Sequence, residues 1–271
     1  MPGTQTEVDA RNASFWDELC GTTLAKQLGV SDDSPQSLAR FDEYYLDLYP
    51  YLEGYLPENK SGEERLLEIG LGYGTVSQIL AARGFDYNGL DIAAGPVGMV
   101  QHRLRLLGID DPTERVQVGS ILEAPHPDES FDHVVTIGCL HHTGDLAGAM
   151  GEVHRLLRPG GRALIMVYNR NSFRRFKMGL RALPGRIFGR GEDEEEMRGA
   201  YDRNVEGVAA PATEYTSVRQ ARELLQDFPE VRVRRENFDD LRVLRRLLPR
   251  GRLLGWPAHR TGLDLYITAI K

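Results

Sequence analysis

Between Arg65 and Tyr168 the apolar residues follow two alternating patterns. Short continuous runs, such as Leu66-Leu67 and Val134-Val135, give way to longer stretches where apolar positions return every three or four residues. The first pattern suits buried strands and the second amphipathic helices. They predict strands at 65–69, 87–91, 115–118, 132–138 and 162–168, with helices near 75–83, 96–107 and 145–157. Such alternation predicts an α/β fold with a mostly parallel sheet and helices on both faces.

The flanks read differently. Residues 1–12 are polar and expected to be mobile, Ser14–Leu19 reads as a capped helical turn, and 37–55 as a helix striped with Phe41, Tyr44, Tyr45, Leu48, Tyr49 and Leu52. That stripe either packs on the sheet or forms an aromatic lid. A polar linker at 57–62 leads into the core. Beyond Tyr168, Phe173, Phe176, Leu180, Leu183 and Ile187 form an apolar stripe among arginines, followed by an acidic run at 192–196. A basic amphipathic helix can lie on a membrane surface; here its place after the fifth strand points to a cover over the ligand end of the sheet. A capped helix at 217–228 and strands at 231–236 and 263–270 close the chain. This divides the chain into an N-terminal helical lid segment (1–60), a core (61–170), a lid insertion (171–214) and a returning part of the core (215–271).

The first strand runs into Gly70-Leu71-Gly72-Tyr73-Gly74. Alternate glycines permit positive φ and remove the Cβ atoms that would hold a ligand off the main chain. Thr75 or Ser77 is placed to cap the next helix, whose N-terminus suits an anionic group. The second strand ends on Asp91, where a doubly wound sheet presents a carboxylate to ribose hydroxyls. A tight strand-to-helix turn without a ligand is the plain alternative.

Glu68-Ile-Gly-Leu-Gly-Tyr-Gly74, Asp91, Phe131-Asp132-His133-Val134-Val135 with Leu140-His141-His142, and Leu157-Arg158-Pro159-Gly160-Gly161 together resemble a class I S-adenosylmethionine-dependent methyltransferase. The resemblance implies a Rossmann-like seven-stranded doubly wound sheet, six strands parallel and the seventh antiparallel, with N-terminal helices and a helical lid insertion. It implies S-adenosyl-L-methionine as cofactor, held by Glu68, Gly70, Leu71, Gly72, Gly74, Thr75, Asp91, Ile92, Ser120, Ile121 and Gly138. Ser120 stands where the family often carries an acid. His141 and His142 leave the fourth strand at the ligand end, where a neutral imidazole can take a proton, although either can simply pack. Tyr44, Tyr168, Asn169 and Arg174 are the candidate acceptor contacts.

Composition narrows the rest. Residues 1–168 carry 12 Lys and Arg against 25 acids, and residues 169–271 carry 21 against 15. The acidic body argues against nucleic acid as a partner, while the basic end leaves room for an anionic acceptor. Neither Cys20 nor Cys139 has a metal or disulfide pattern; half-buried thiols and metal-independent chemistry are expected. No apolar run reaches membrane-spanning length and no signal peptide is recognisable, which points to the cytoplasm and no stable membrane insertion. The reading is small-molecule methylation at O, N or C. A nicotinamide-dependent oxidoreductase, an RNA methyltransferase and a non-catalytic cofactor-binding protein are the alternatives.

Overall fold

Adjacent residues of a strand face opposite sides of a sheet, and in this chain the two sides feed separate cores. In the computed structural model, which describes residues 4–18, 22–187, 194–243 and 246–271, Leu67, Val134, Ile165, Val167 and Ile267 enter one core. Their neighbours Leu66, Val135, Leu164, Met166 and Tyr266 enter the other. Burying each such side chain contributes roughly 1.5–3 kcal/mol, so a one-residue slip of register is strongly opposed.

The strands are β1 (Arg65–Ile69), β2 (Asp86–Asp91), β3 (Val116–Val118), β4 (Phe131–Ile137), β5 (Leu157–Tyr168) and β6 (Glu230–Glu236), with a small hairpin β7 (Leu241–Val243) and β8 (Arg246–Leu248), and β9 (Asp264–Ile270). The main sheet has the order β3-β2-β1-β4-β5-β9-β6. Strand β9 is antiparallel to both β5 and β6, and the other pairs are parallel. Six strands therefore run one way and β9 the other, as expected. Chain order reverses between β1 and β4, which opens a crevice at their carboxyl ends.

The helices are α1 (Gln5–Trp16), α2 (Thr22–Gln27), α3 (Pro35–Leu48), α4 (Thr75–Ala82), α5 (Ala94–Leu106), α6 (Pro112–Arg115), α7 (Leu146–Leu156), α8 (Phe173–Ile187), α9 (Glu194–Gly199), α10 (Val218–Leu224) and α11 (Trp256–Thr261). Residues of α7 and α10 pack in the first core, and residues of α4 and α5 with Leu52 and Leu56 in the second.

Several expectations are corrected. Residues 5–12 are helical: the Thr4 hydroxyl accepts from the Glu7 N–H while the Glu7 carboxylate accepts from the Thr4 N–H, a capping box that starts α1 well before Ser14. Helix α3 begins at Pro35 because Ser34 caps it, and it stops before Pro50 rather than running to Tyr55. Leu157–Gly161 is drawn into β5, since Gly160 N–H donates to the Lys271 carbonyl and Lys271 N–H to that of Gly161. Between the two closing strands, the stretch 241–254 holds the β7–β8 hairpin and a 3-10 turn at Arg250–Arg252. Gly74, not Thr75 or Ser77, occupies the cap position of α4.

Thr75 is used otherwise. Its hydroxyl donates to Asp42 Oδ1 at 2.6 Å, and the buried Arg103 guanidinium reaches both Asp42 oxygens at 2.8 and 2.9 Å and Gln78 Oε1 at 2.6 Å. This pair ties α3, α4 and α5 together beside the glycine turn. Removing one partner of a buried pair strands the other charge. Arg103→Leu should cost about 3–5 kcal/mol in urea unfolding, and adding Asp42→Leu should restore most of it; equal losses in single and double variants would disprove the coupling.

Candidate functional site

The carboxyl ends of β1, β2 and β4 floor a cleft open to solvent, with an enclosed part of about 100 Å³. Its floor and walls come from Ile69, Gly70 and Gly72, Leu90–Ile92, Gly119–Ile121 and Ile137–Cys139; its roof is Asp9, Asn12 and Trp16 of α1, with His142 and Thr143 at one side. Among the described residues, no Lys or Arg lines it.

Gly70 (φ 78°) shows why the turn needs glycine: a Cβ there would run into the Cys139 side chain. At Gly74 (φ 81°) a Cβ would lie 2.7 Å from Arg103 Cδ. Asp91 accepts from the Leu71 N–H at 2.7 Å and from the Ala93 N–H at 2.9 Å. Burial raises its pKa, opposed by these bonds and by the N–H groups of Ile92 and Gly72. The carboxylate is thereby fixed at the cleft edge. Ser120 accepts from the Leu122 N–H at 3.3 Å, which leaves its own proton free to donate.

Behind the turn lies a smaller cavity of about 60 Å³, lined by Phe41, Tyr45, Glu68, Gly70–Val76 and Ile137. Glu68 is fully enclosed and accepts from the Tyr87 hydroxyl at 2.6 Å. Its pKa is pushed up to about 7 by burial, against the pull of the Tyr87 bond.

The roof is fastened to the loop after β4. Asn12 Nδ2 donates to the His142 carbonyl at 2.7 Å, Gln5 Nε2 to that of Thr143 at 2.8 Å, and the Trp16 ring lies 4.8 Å from the His142 ring. At the far end, Asp17 accepts from the Gly95 N–H on α5. His142 itself is buried. Its Nδ1 lies 2.7 Å from the Ala212 carbonyl, which can only accept, so Nδ1 carries the proton and Nε2 presents a lone pair. Nε2 faces Asp202 Oδ2 at 3.6 Å, and Asp202 Oδ1 accepts from the Tyr168 hydroxyl at 3.0 Å. Burial lowers the His142 pKa, although Asp202 and the Ala212 bond oppose it, and burial raises that of Asp202.

Of the residues singled out in the sequence, Gly70, Gly72, Asp91, Ile92, Ser120, Ile121, Gly138 and His142 meet in the cleft. Glu68, Leu71, Gly74 and Thr75 line the smaller cavity. His141 is fully buried between the rings of His142 and Tyr168, with neither ring nitrogen hydrogen-bonded, and lines neither cavity. Tyr168 reaches the site through Asp202. Asn169 is buried and donates to the Gly262 carbonyl, and Arg174 is bound to Asp239 and lies over the Tyr201 ring. Tyr44 is exposed and its neighbour Tyr45 takes the inner position. Cys139 is half-buried in the cleft wall; Cys20 lies outside the described residues. Sequence reasoning missed Asp9, Asn12, Trp16 and Asp202. The Thr4-x-x-Glu7 signature could have found α1; nothing in the sequence marks Asp202.

Residues 67–165 match the family model of a methyltransferase domain. The chain is 28% identical over 126 residues to a ubiquinone biosynthesis O-methyltransferase of Pseudomonas entomophila, covering 46% of this chain and 53% of that protein. It is 29% identical over 109 residues to a demethylmenaquinone methyltransferase of Tropheryma whipplei, covering 40% and 43%. The chain thus spans about half the length of the curated relatives it matches. Among solved structures, an S-adenosylmethionine-dependent methyltransferase from Thermotoga maritima superposes with a TM-score of 0.55 at 20% identity, covering 84% of this chain and 89% of the other. A phosphoethanolamine N-methyltransferase 2 of Haemonchus contortus, solved with S-adenosyl-L-methionine, gives 0.52 at 17% identity, covering 83% and 52%. These two likenesses show the shared fold.

The buried acid yields a measurable consequence. Glu68 titrates near 4.5 when unfolded and at about 7 when folded, so the native state holds the proton more tightly. Its stabilising effect is complete below the lower value and is lost as pH rises through the upper one. Glu68→Gln should therefore gain stability over the parent between about pH 5 and 8, by about 1–3 kcal/mol. A pH-independent difference in denaturant melts would contradict this.

Proposed function

We propose that this chain, whose residues 67–165 match a methyltransferase domain, is a class I S-adenosylmethionine-dependent enzyme that methylates an uncharged small-molecule acceptor without a metal. The observation that carries this reading is the cleft itself: a glycine turn open to main-chain contact, Asp91 at its edge and a buried imidazole on its wall.

The lining fits the cofactor. Its positive charge is matched by Asp9 and Asp91 with no opposing cation, the ribose hydroxyls by the Asp91 carboxylate, and the adenine by Ile92, Ile121 and Leu90. Gly70, Gly72, Gly74 and Gly138 leave the main chain open to it, and Ser120 offers a hydroxyl. When bound, S-adenosyl-L-methionine supplies an activated methyl group whose transfer depends on alignment, an effect worth on the order of 7–11 kcal/mol. Helix α1 roofs the cleft and keeps water from the reacting groups. Glu68 and Thr75 shape the turn from behind.

His142 Nε2 is the proton acceptor in this reading. The Ala212 carbonyl fixes its tautomer, Asp202 stabilises the positive charge it gains, and Tyr168 holds Asp202 in place. His141, enclosed and off the cleft, supports that ring by packing. Arg174 is committed to Asp239, and Arg175 lies over the Tyr215 ring. That commitment favours an uncharged acceptor over the anionic one suggested by the basic composition. The names of the relatives make phenols and quinols the first acceptors to screen.

Calorimetry should detect binding of S-adenosylmethionine and S-adenosylhomocysteine, and Asp91→Ala should weaken both at least about tenfold, the loss of a charge-assisted hydrogen bond. Undiminished binding would defeat the assignment. With an acceptor in hand, His142→Asn should lower kcat about 10²–10⁴-fold and abolish the acid limb of the pH profile. That limb should lie below pH 6.5, since burial lowers the His142 pKa from that value.

A further inference from the structure

The sequence places a cover over the cleft at α8, yet among the described residues no side chain of α8 lines either cavity. Its outward residues instead include Phe176 and Leu180, 63% and 50% exposed and one helical turn apart. Residues 173–187 contain five Lys and Arg and no acid, and residues 241–254 contain five Arg and no acid.

Tertiary packing brings these two segments together. Phe238, Leu253 and Ala258 form a small core against which Phe173 of α8 and Leu241 and Leu248 of the β7–β8 hairpin all pack. The Arg174–Asp239 ion pair fastens α8 to the approach to that hairpin. The hairpin also turns apolar side chains outward, with Val243 at 47% and Leu247 at 54% exposure beside the exposed Arg242 and Arg246. Trp256 opens α11 from the same small core and is 71% exposed. Beside the hairpin, Asp239 is paired with Arg174 and Asp240 accepts from the Arg250 N–H, while the acids Glu194–Glu196 stand apart at the start of α9.

We propose that this corner, built from α8, the β7–β8 hairpin and Trp256, docks the protein on an anionic lipid bilayer. Exposed Phe, Leu and Val on the same corner as the exposed Arg242, Arg246 and Arg252 combine the two interactions an interfacial surface uses, insertion below the headgroups and attraction to their negative charge. Nucleic acid would use the arginines but has no place for four exposed aliphatic and aromatic side chains on a helix and a hairpin. The corner follows β5 and β6, so it lies at the same end of the parallel strands as the cleft. Arg174 touches the Tyr201 ring, Tyr201 packs on Tyr168, and Tyr168 bonds to Asp202 opposite His142. A lipid-soluble acceptor leaving the bilayer would thus meet the side of the molecule that carries the catalytic wall. The docking itself does not depend on the methyl-transfer reading.

The test is co-sedimentation of the full chain with vesicles of phosphatidylcholine alone and of phosphatidylcholine mixed with phosphatidylglycerol. Binding should be confined to the mixed vesicles and weaken as salt is raised. Arg242→Glu with Arg246→Glu should reduce partition at least about tenfold, and Phe176→Ser with Leu247→Ser should also release the protein. Thermal melts of both variants should match the parent, and the salt series on the unmodified chain needs no variant at all. Failure to sediment with mixed vesicles, sedimentation that ignores both charge reversal and salt, or retention by RNA without lipid binding would each overturn the proposal.

Discussion

The Asp91 carboxylate, held by the N–H groups of Leu71 and Ala93, is the contact on which the site depends. It joins the glycine turn after β1 to the end of β2, and so fixes the main chain of the turn relative to the sheet. A buried carboxylate is costly unless hydrogen-bonded, which is why the turn cannot drift without exposing an unsatisfied charge. The pressure from the other side comes from Cys139, whose side chain occupies the space a Cβ at Gly70 would need. Between them these contacts set the width of the crevice where chain order reverses.

The second organising feature is the loop from Leu140 to Asp145. Segments distant in sequence converge there through its main chain: Asn12 on the His142 carbonyl, Gln5 on that of Thr143, and the Glu214 N–H on that of His141 at 2.7 Å. Glu214 then accepts from the Leu146 N–H at the start of α7. The N-terminal helix and the insertion before α10 therefore close on one loop, and His142 sits where they meet. Its tautomer and its charged neighbour both come from the insertion, through Ala212 and Asp202. The placing of His142 and the attachment of these two segments are thus the same set of contacts.

Polarity is divided over the molecule in a way that matches this layout. Among the described residues the cleft is lined by Asp9 and Asp91 and by no Lys or Arg, whereas the outer corner made by α8 and the hairpin has cations and exposed apolar groups. The arginines that composition made candidates for the acceptor instead hold elements together or face outward. Arg103, Arg174 and Arg175 all make internal contacts with a carboxylate or an aromatic ring.

The sequence by itself determined the strand order's raw material and the floor of the site. Period-two burial in Leu66-Leu67 or Leu164–Val167, the spacing of the glycines and the acid ending β2 are local features, legible because the backbone imposes them at short range. The helix at 5–16 was equally local in its capping box, yet its polar composition hid it, since its buried face is supplied by contacts with the loop at 142–144. Which histidine faces the cleft, which tyrosine of the Tyr44-Tyr45 pair turns inward, that Arg174 is spent on Asp239 and that Asp202 stands beside His142 were decided only by tertiary structure. Each depends on which side chain a distant segment brings within a few ångströms, and pairings across 60 to 187 positions leave no periodic trace in a single chain.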